Sequence, residues 1–358
     1  MEKDRTETDD IWTRRYEEEE ADDLFREEED PEDEHPMLKA KQENVANEGM
    51  LQVRTQDDWS EKVLQHLGLD NSRPLTTNLR TILDEIEKVG KATCYVRRKR
   101  NSRGREDYHR TLKDDGRLSA EVRRYHGEKY QKVLDGKGGS GTGFLISPKQ
   151  RNYHWLVLTN NHVIMDEDEA NGALVVFDYL HDNSSRGSKT FFVADFVCSS
   201  LRTESAEDHS TLDYSLLSLK YDVSDNEFLE QHAMLFEETV RVQWGCQKDS
   251  AMLAFSHPHG LSKRISLGYF DTDLEEYPVK HIRHSLPTTT GSSGANICIP
   301  DVASGPEKYK TWLSAFVHYR ASQAVGWQAI GNHLRSETRN NPKWNASRGS
   351  ANPNPSNQ

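Results

Sequence analysis

Three short stretches of this 358-residue chain carry residues whose chemistry would make sense together. Near Trp155-Leu-Val-Leu-Thr-Asn-Asn-His-Val-Ile a hydrophobic strand ends at Thr159 and delivers His162 onto a turn, where an imidazole can face a cleft. Upstream, Gly141-Thr-Gly-Phe-Leu-Ile-Ser supplies glycines that let two backbones approach closely. In Ser210-Thr-Leu-Asp-Tyr-Ser-Leu-Leu-Ser-Leu, Asp213 stands at the mouth of a run that reads as a buried strand. A carboxylate placed there needs a partner to offset desolvation, and an imidazole N–H is a suitable one. The third stretch, Leu286-Pro-Thr-Thr-Thr-Gly-Ser-Ser-Gly-Ala-Asn-Ile-Cys-Ile, sets Ser293 in a glycine-flanked loop before a strand. Glycines let such a loop turn its N–H groups inward, so those of Gly291 and Ser293 can converge on the oxygen of a tetrahedral intermediate. Each segment alone has an ordinary reading: a loop histidine, a turn aspartate, a solvated Ser/Gly linker.

The elements that must position these residues are short β-branched and apolar runs separated by turn residues. They include Ala92–Val96, Gly143–Ile146, Trp155–Leu158, Leu174–Phe177, Phe191–Val197 and Tyr214–Leu219. The texture continues through Ala251–Phe255, Ile265–Tyr269, Ala295–Ile299 and Leu313–Val317 and predicts an all-β sandwich or barrel. A charged stretch from Arg97 to about Gly139 interrupts it and is expected to form loops, as is the Asn/Pro/Ser-rich tail. Ahead of the strands, Trp59–Leu69 predicts a short helix. Leu79, Ile82, Leu83, Ile86 and Val89 predict a stronger one closed by Gly90, whose stripe either docks on the following barrel or recruits another chain, a second copy included.

Charge is uneven. Residues 1–50 hold 20 acidic against 7 basic residues and so carry the whole formal charge of −13, leaving the body neutral. Acidic blocks such as Glu17–Glu20 and Glu27–Asp30 predict a disordered arm, with a weak apolar face over Ile11–Phe25. No apolar run approaches the roughly 18 residues of a bilayer span, and the first thirty residues are charged where a secretory signal is apolar. The expectation is a protein of cytoplasm or nucleus with no membrane partner. Cys94, Cys198, Cys246 and Cys298 show no paired spacing and are expected to be reduced thiols. No metal or other cofactor is expected. The basic run Arg97-Arg-Lys-Arg reads as an exposed hairpin tip rather than as a nucleic-acid surface.

Taken together, the order His162, Asp213, Ser293 with these flanking sequences resembles the trypsin-like, chymotrypsin-fold serine peptidases over about Ala92 to Leu334. The resemblance implies two six-stranded antiparallel β-barrels, a polypeptide substrate, and a catalytic triad. In it Ser293 is the nucleophile, His162 the general base, Asp213 the orienting acid, and Gly291 with Ser293 the oxyanion hole. Ser256-His-Pro-His-Gly-Leu is similar to the Pro-x-Gly turn of the family's second barrel, which makes His257 and His259 turn residues rather than metal ligands. The implied organisation is an acidic arm at 1–55, a helical extension at 56–90, the peptidase domain at 91–339 and a tail at 340–358. Asn161, Val163, Thr289 and Thr290 stand where secreted relatives carry cysteines, and no activation cleavage site precedes Ala92. Pro287 replaces the acid that selects basic side chains. Thr288 and His318 match the carboxylate-binding pair of glutamyl endopeptidases, so acidic and apolar or aromatic specificities both stay open. Arg320 stands where relatives usually have glycine, and Gly326 is expected to line the pocket. The competing expectation is a catalytically silent barrel that binds a partner through the old cleft.

Overall fold

The structure, a computed structural model, describes residues 36–55, 59–69, 77–118, 120–136, 138–147, 155–182, 186–200, 212–235, 249–271, 281–298, 316–320 and 323–326. Helix α1 (Pro36–Asn47), strand β1 (Leu51–Gln52), α2 (Ser60–His66) and α3 (Thr77–Ala92) lead into β2 (Thr93–Arg98). Next come α4 (Arg103–Asp114), α5 (Ala120–Leu134), β3 (Gly139–Ser147), β4 (Leu156–Thr159), α6 (Glu167–Ala170), β5 (Leu174–Phe177), β6 (Lys189–Ser200) and β7 (Tyr214–Leu219). The chain continues through α7 (Asn226–His232), β8 (Met234–Leu235), β9 (Ala251–Ser256), β10 (Arg264–Tyr269), β11 (His281–Arg283), β12 (Asn296–Cys298), β13 (Phe316–Arg320) and β14 (Gln323–Gly326).

In the first sheet β2, β5, β6, β7, β4 and β3 pair in turn and β3 returns to β2, closing a six-stranded antiparallel barrel to which β8 adds a short parallel pairing. Both faces of its strands are apolar, for a simple reason. Side chains alternate across a strand, so Leu145, Val157 and Leu217 fill the barrel with Cys94, Val175 and Phe177. Their neighbours Phe144, Ile146, Leu156, Leu158 and Leu216 face outward, where Ile82, Leu83, Ile86 and Val89 of α3 cover them. The same outer cluster takes in Trp59, Val63 and Leu64 of the preceding segment and Leu253, Phe255 and Ile265 of the second sheet. Helix α3 is therefore a wedge in the common core. Ile82, Leu83, Ile86 and Val89 are buried inside the chain, as the docking alternative for this stripe expects.

The second sheet runs β1–β10–β9–β12–β13–β14–β11. Where the sequence reading expects a second six-stranded barrel, the described residues give this seven-stranded sheet, with Phe270 bridging His284 beside β10 and β11. Strand β1 belongs to it by pairing Leu51 with Ile265, and Val45 and Met50 bury against Leu261. Within the acidic arm expected up to residue 55, residues 36–55 carry α1 and β1, apolar residues with a docking surface following the last acidic block at Glu34; residues 1–35 lie outside the described residues. The weak face at 11–25 and the tail at 340–358 lie outside the described residues.

The charged insertion after Arg97 also differs from its expected loops. Ser102 caps α4 by accepting the Arg105 N–H, and pairs such as Arg110 with Asp107 lie at helical spacing, where opposite charges support a helix. Helices α4 and α5 then pack through His109 and His126, both buried, with their Nδ1 atoms 2.9 Å apart. Arg98 does not decorate a hairpin tip, since its guanidinium turns inward to the Val163 carbonyl at 2.8 Å.

Candidate active site

Strand β4 ends at Thr159, and the turn that follows carries His162. Asn160 Nδ2 donates to the Asp213 carbonyl at 2.7 Å, and the Val163 N–H closes the turn on the Asn160 carbonyl. Asn161 Nδ2 donates to Met165 O at 3.0 Å. Asp213 precedes β7 with φ of 45°, a left-handed conformation uncommon outside glycine, and its side chain is 1% exposed. Its carboxylate takes both hydrogen bonds the histidine offers: the His162 main-chain N–H at 3.0 Å and Nδ1 at 2.7 Å. A carboxylate only accepts, so Nδ1 carries the proton and Nε2 presents a lone pair. The ring itself is 29% exposed and reaches the surface.

The serine loop is docked against this turn by residues too small to keep it away. A Cβ on Gly141 would meet both Val163 Cγ2, at 2.6 Å, and the Ser293 carbonyl, at 3.1 Å. The residue beside His162 and the main chain of Ser293 therefore crowd one glycine from two sides. The Thr142 N–H donates to the Ser293 carbonyl at 2.7 Å, and Gly294, with φ of 89°, leaves no room for a side chain beside the Thr142 carbonyl. Thr142 Oγ1 donates to the Gly291 carbonyl at 2.7 Å and accepts the His257 N–H at 2.9 Å, tying the loop to the turn at Pro258–Gly260. Among the described residues no hydrogen bond joins His162 to Ser293.

The Thr290–Gly291 peptide has a defined orientation. The His259 N–H, in a residue with φ of 53°, donates to the Thr290 carbonyl at 2.5 Å, and His259 Nε2 lies 3.0 Å from Thr289 Oγ1. In a planar trans peptide the N–H points opposite to the C=O, so the Gly291 N–H is aimed away from the His259 turn. Among the described residues neither it nor the Ser293 N–H has a protein acceptor.

The model of the trypsin-like peptidase domain family matches residues 141–299. This segment is similar to a trypsin-like peptidase domain. Ser293, His162 and Asp213 all fall within it, and the family implies a polypeptide substrate. The sequence matches no curated protein. Among solved structures the chain is similar to the Rv3671c protease of M. tuberculosis in an inactive form, at 14% identity over 70% of this chain and 91% of that one, with a TM-score of 0.39. It is also similar to Deg5, at 13% identity over 73% of this chain and 94% of that one, with a TM-score of 0.40. Likeness at that level adds nothing to the assignment.

The pocket residues expected around the trypsin-like site are placed unevenly. Pro287 and Thr288 are half-buried on the segment leading to Gly291. His318, Arg320 and Gly326 sit on the β13–β14 hairpin, which reaches the serine loop through the pairing of Val317 with Asn296. A register shift separates His318 from Arg320, and the side chains of this hairpin lie outside the described residues. Cys94, Cys198 and Cys298 are free thiols, burial pushing Cys94 and Cys298 upward; Cys246 lies outside the described residues. His257 is a buried turn residue, pushed down to about 3 by burial and then by the charge of Lys263, so it is neutral. Among the described residues no cluster suited to a metal is present, and no helix is long and apolar enough to cross a membrane.

Behind the histidine lies a polar joint that sequence reasoning missed. Arg105 donates through Nε and Nη2 to the two oxygens of Glu169, at 2.5 and 2.7 Å, and through Nη1 to the His162 carbonyl at 2.9 Å. Burial pushes Glu169 up, but the hydrogen bond and charge of Arg105 and the charge of Arg98 outweigh it, and the acid ends below its ordinary value. Arg98 is lowered to about 10 by burial and then by Arg105, which leaves it cationic at neutral pH. Thr142, by contrast, had a visible signal in its position between two glycines.

Proposed function

We propose that the protein is a serine endopeptidase acting through Ser293, His162 and Asp213, within a peptidase domain at 91–339 whose second sheet curls into the family's second barrel. Ser293 Oγ attacks the scissile carbonyl carbon while His162 Nε2 takes its proton, and Asp213 holds the Nδ1 proton and stabilises the imidazolium. The oxyanion that forms receives the N–H groups of Gly291 and Ser293. As the C–N bond breaks, His162 returns the proton to the departing amine, leaving an ester on Ser293. Water then repeats the sequence on that ester and frees the acid.

The observation that carries this reading is the double hydrogen bond of Asp213 to His162, because it fixes the tautomer a general base requires. Pro287 offers no charge to a basic side chain. The side chain before the cut bond is therefore apolar, aromatic or acidic, with Thr288, His318, Arg320 and Gly326 as the candidate selectors. A serine-directed fluorophosphonate probe tests the chemistry. The full-length protein should be labelled and Ser293→Ala should not be, while a folded wild-type protein that resists labelling at every pH would mark a silent barrel instead. A peptide-library cleavage profile then reads the preference.

A further inference from the structure

We propose that the two-helix insert at 103–134 is the positioning element of the candidate base, with Arg105 as the positioning residue that holds the His162 turn through its main chain. The proposal rests on the triad reading given above and adds to it a control point outside the matched segment, which begins at residue 141.

A turn at the end of a barrel strand leaves carbonyls that no neighbouring strand satisfies, and buried carbonyls need donors. At His162 and Val163 the donors come from elsewhere. Arg105 Nη1 takes the His162 carbonyl at 2.9 Å, Arg98 Nη1 takes the Val163 carbonyl at 2.8 Å, and Arg105 Nη2 lies 3.4 Å from the latter. The fork is held still by Glu169, whose Oε2 also accepts the Met165 N–H at 2.8 Å and whose Oε1 accepts the Ser102 N–H at 3.2 Å. Ser102 caps α4 and donates to Asp166 Oδ2 at 2.5 Å, while Asp166 caps α6 by accepting the Glu169 N–H at 3.0 Å. One joint thus fastens the start of α4, the start of α6 and both carbonyls of the histidine turn.

Stability alone is a weak reason for such a joint. Arg105 is 4% and Glu169 1% exposed, and a buried ion pair is often no better for stability than apolar residues of the same size. Geometry is the stronger reason. The Asp213 carboxylate holds His162 from one side by accepting its main-chain N–H and its Nδ1–H, and the joint holds the His162 carbonyl from the other, so the direction of Nε2 is set by both. A misplacement of about 1 Å at a reacting pair costs on the order of 100-fold in rate.

Arg105→Lys in the full-length protein keeps the charge and loses the fork, since an ammonium cannot reproduce the planar two-sided contact. We expect kcat to fall about 10- to 100-fold with KM unchanged, in a variant shown by urea unfolding to be folded under assay conditions. Should Arg105→Lys fold poorly, Glu169→Gln, which loosens the guanidinium without removing it, is read in the same way. A second readout does not depend on turnover: the downfield proton resonance of the His162 Nδ1–Asp213 hydrogen bond, identified by its loss in Asp213→Asn, should shift or broaden in the joint variants. Wild-type kcat together with an unmoved resonance overturns the proposal. If the wild-type protein is never labelled by the fluorophosphonate, the hydrolase reading fails, and the resonance still decides whether Arg105 positions the ring.

Discussion

Adding one methyl group at Gly291 is the sharpest test of how the serine loop works. The residue has φ of 95°, where an L side chain costs roughly 1–2 kcal/mol. The new Cβ would also lie 2.5 Å from the His257 carbonyl oxygen, 2.8 Å from the His259 nitrogen and 3.3 Å from the Gly260 nitrogen. All three are main-chain atoms of a turn that Thr142 ties to this loop, so the Thr290–Gly291 segment and the turn must separate. Separating them breaks the His259 N–H to Thr290 carbonyl bond that orients the Gly291 N–H. Losing one such donor is worth about 3–4 kcal/mol, or on the order of 100- to 1,000-fold in kcat. The assay is peptide turnover by Gly291→Ala with urea unfolding run in parallel. Gly172→Ala is the control: it shares a positive φ, 84°, but nothing lies within 4 Å of its Cβ, so it should lose stability and keep its kcat. A folded Gly291→Ala enzyme with wild-type kcat would refute the oxyanion argument, because it would mean that the Thr290–Gly291 peptide does not face the reacting oxygen.

Two further outcomes test the frame and the buried charge beside the site. Ile86→Ala, at a fully buried position of α3 between the barrel and Phe255, should cost about 2–5 kcal/mol in urea unfolding; a neutral result would mean that the helix does not wedge the core. Lys263, buried and donating to the Gly90 carbonyl at 2.5 Å, is lowered from 10.5 to about 8 by burial, with Asp178 opposing. Between those values the unfolded chain holds a proton that the folded chain has released, so stability should rise with pH across that window by an amount on the order of a few kcal/mol. Lys263→Met should flatten the rise, and an unchanged pH profile in that variant would assign it to other groups.

What could be read in the sequence follows a physical rule. Strands such as Tyr214–Leu219 were visible because both of their faces are buried, one in the barrel and the other under α3, which makes them continuous apolar runs. The serine loop was visible because close approach demands glycine, and Gly291 and Gly294 do sit where a side chain would strike main chain. Arg105 and Glu169 were invisible for the opposite reason. Charged side chains look alike in sequence whether solvated or buried, and these two meet across 64 residues. The helices α4 and α5 were missed with them, since their polar composition resembles that of a loop until the Ser102 cap and the buried His109–His126 contact are seen. His318 and Arg320 remain expectations of the sequence placed only by strand register.

The same rule explains why the histidine turn needed help from outside the barrel. A closed sheet satisfies the hydrogen bonds of its strands and leaves those of its turns open, and a turn that must present an exposed imidazole cannot simply be packed over. The serine side is fixed by subtraction, with Gly141 and Gly294 removing side chains so that main chain meets main chain. The histidine side is fixed by addition, with Asn160, Asp213, Arg98 and Arg105 supplying donors and acceptors to a turn that has no sheet neighbour. Changes at the serine side should therefore act through collision and changes at the histidine side through lost direction. Second-site rescue separates the two: shrinking a neighbour can relieve a collision, as Val163→Ala should for Gly141→Ala, whereas no smaller residue can replace the fork of Arg105.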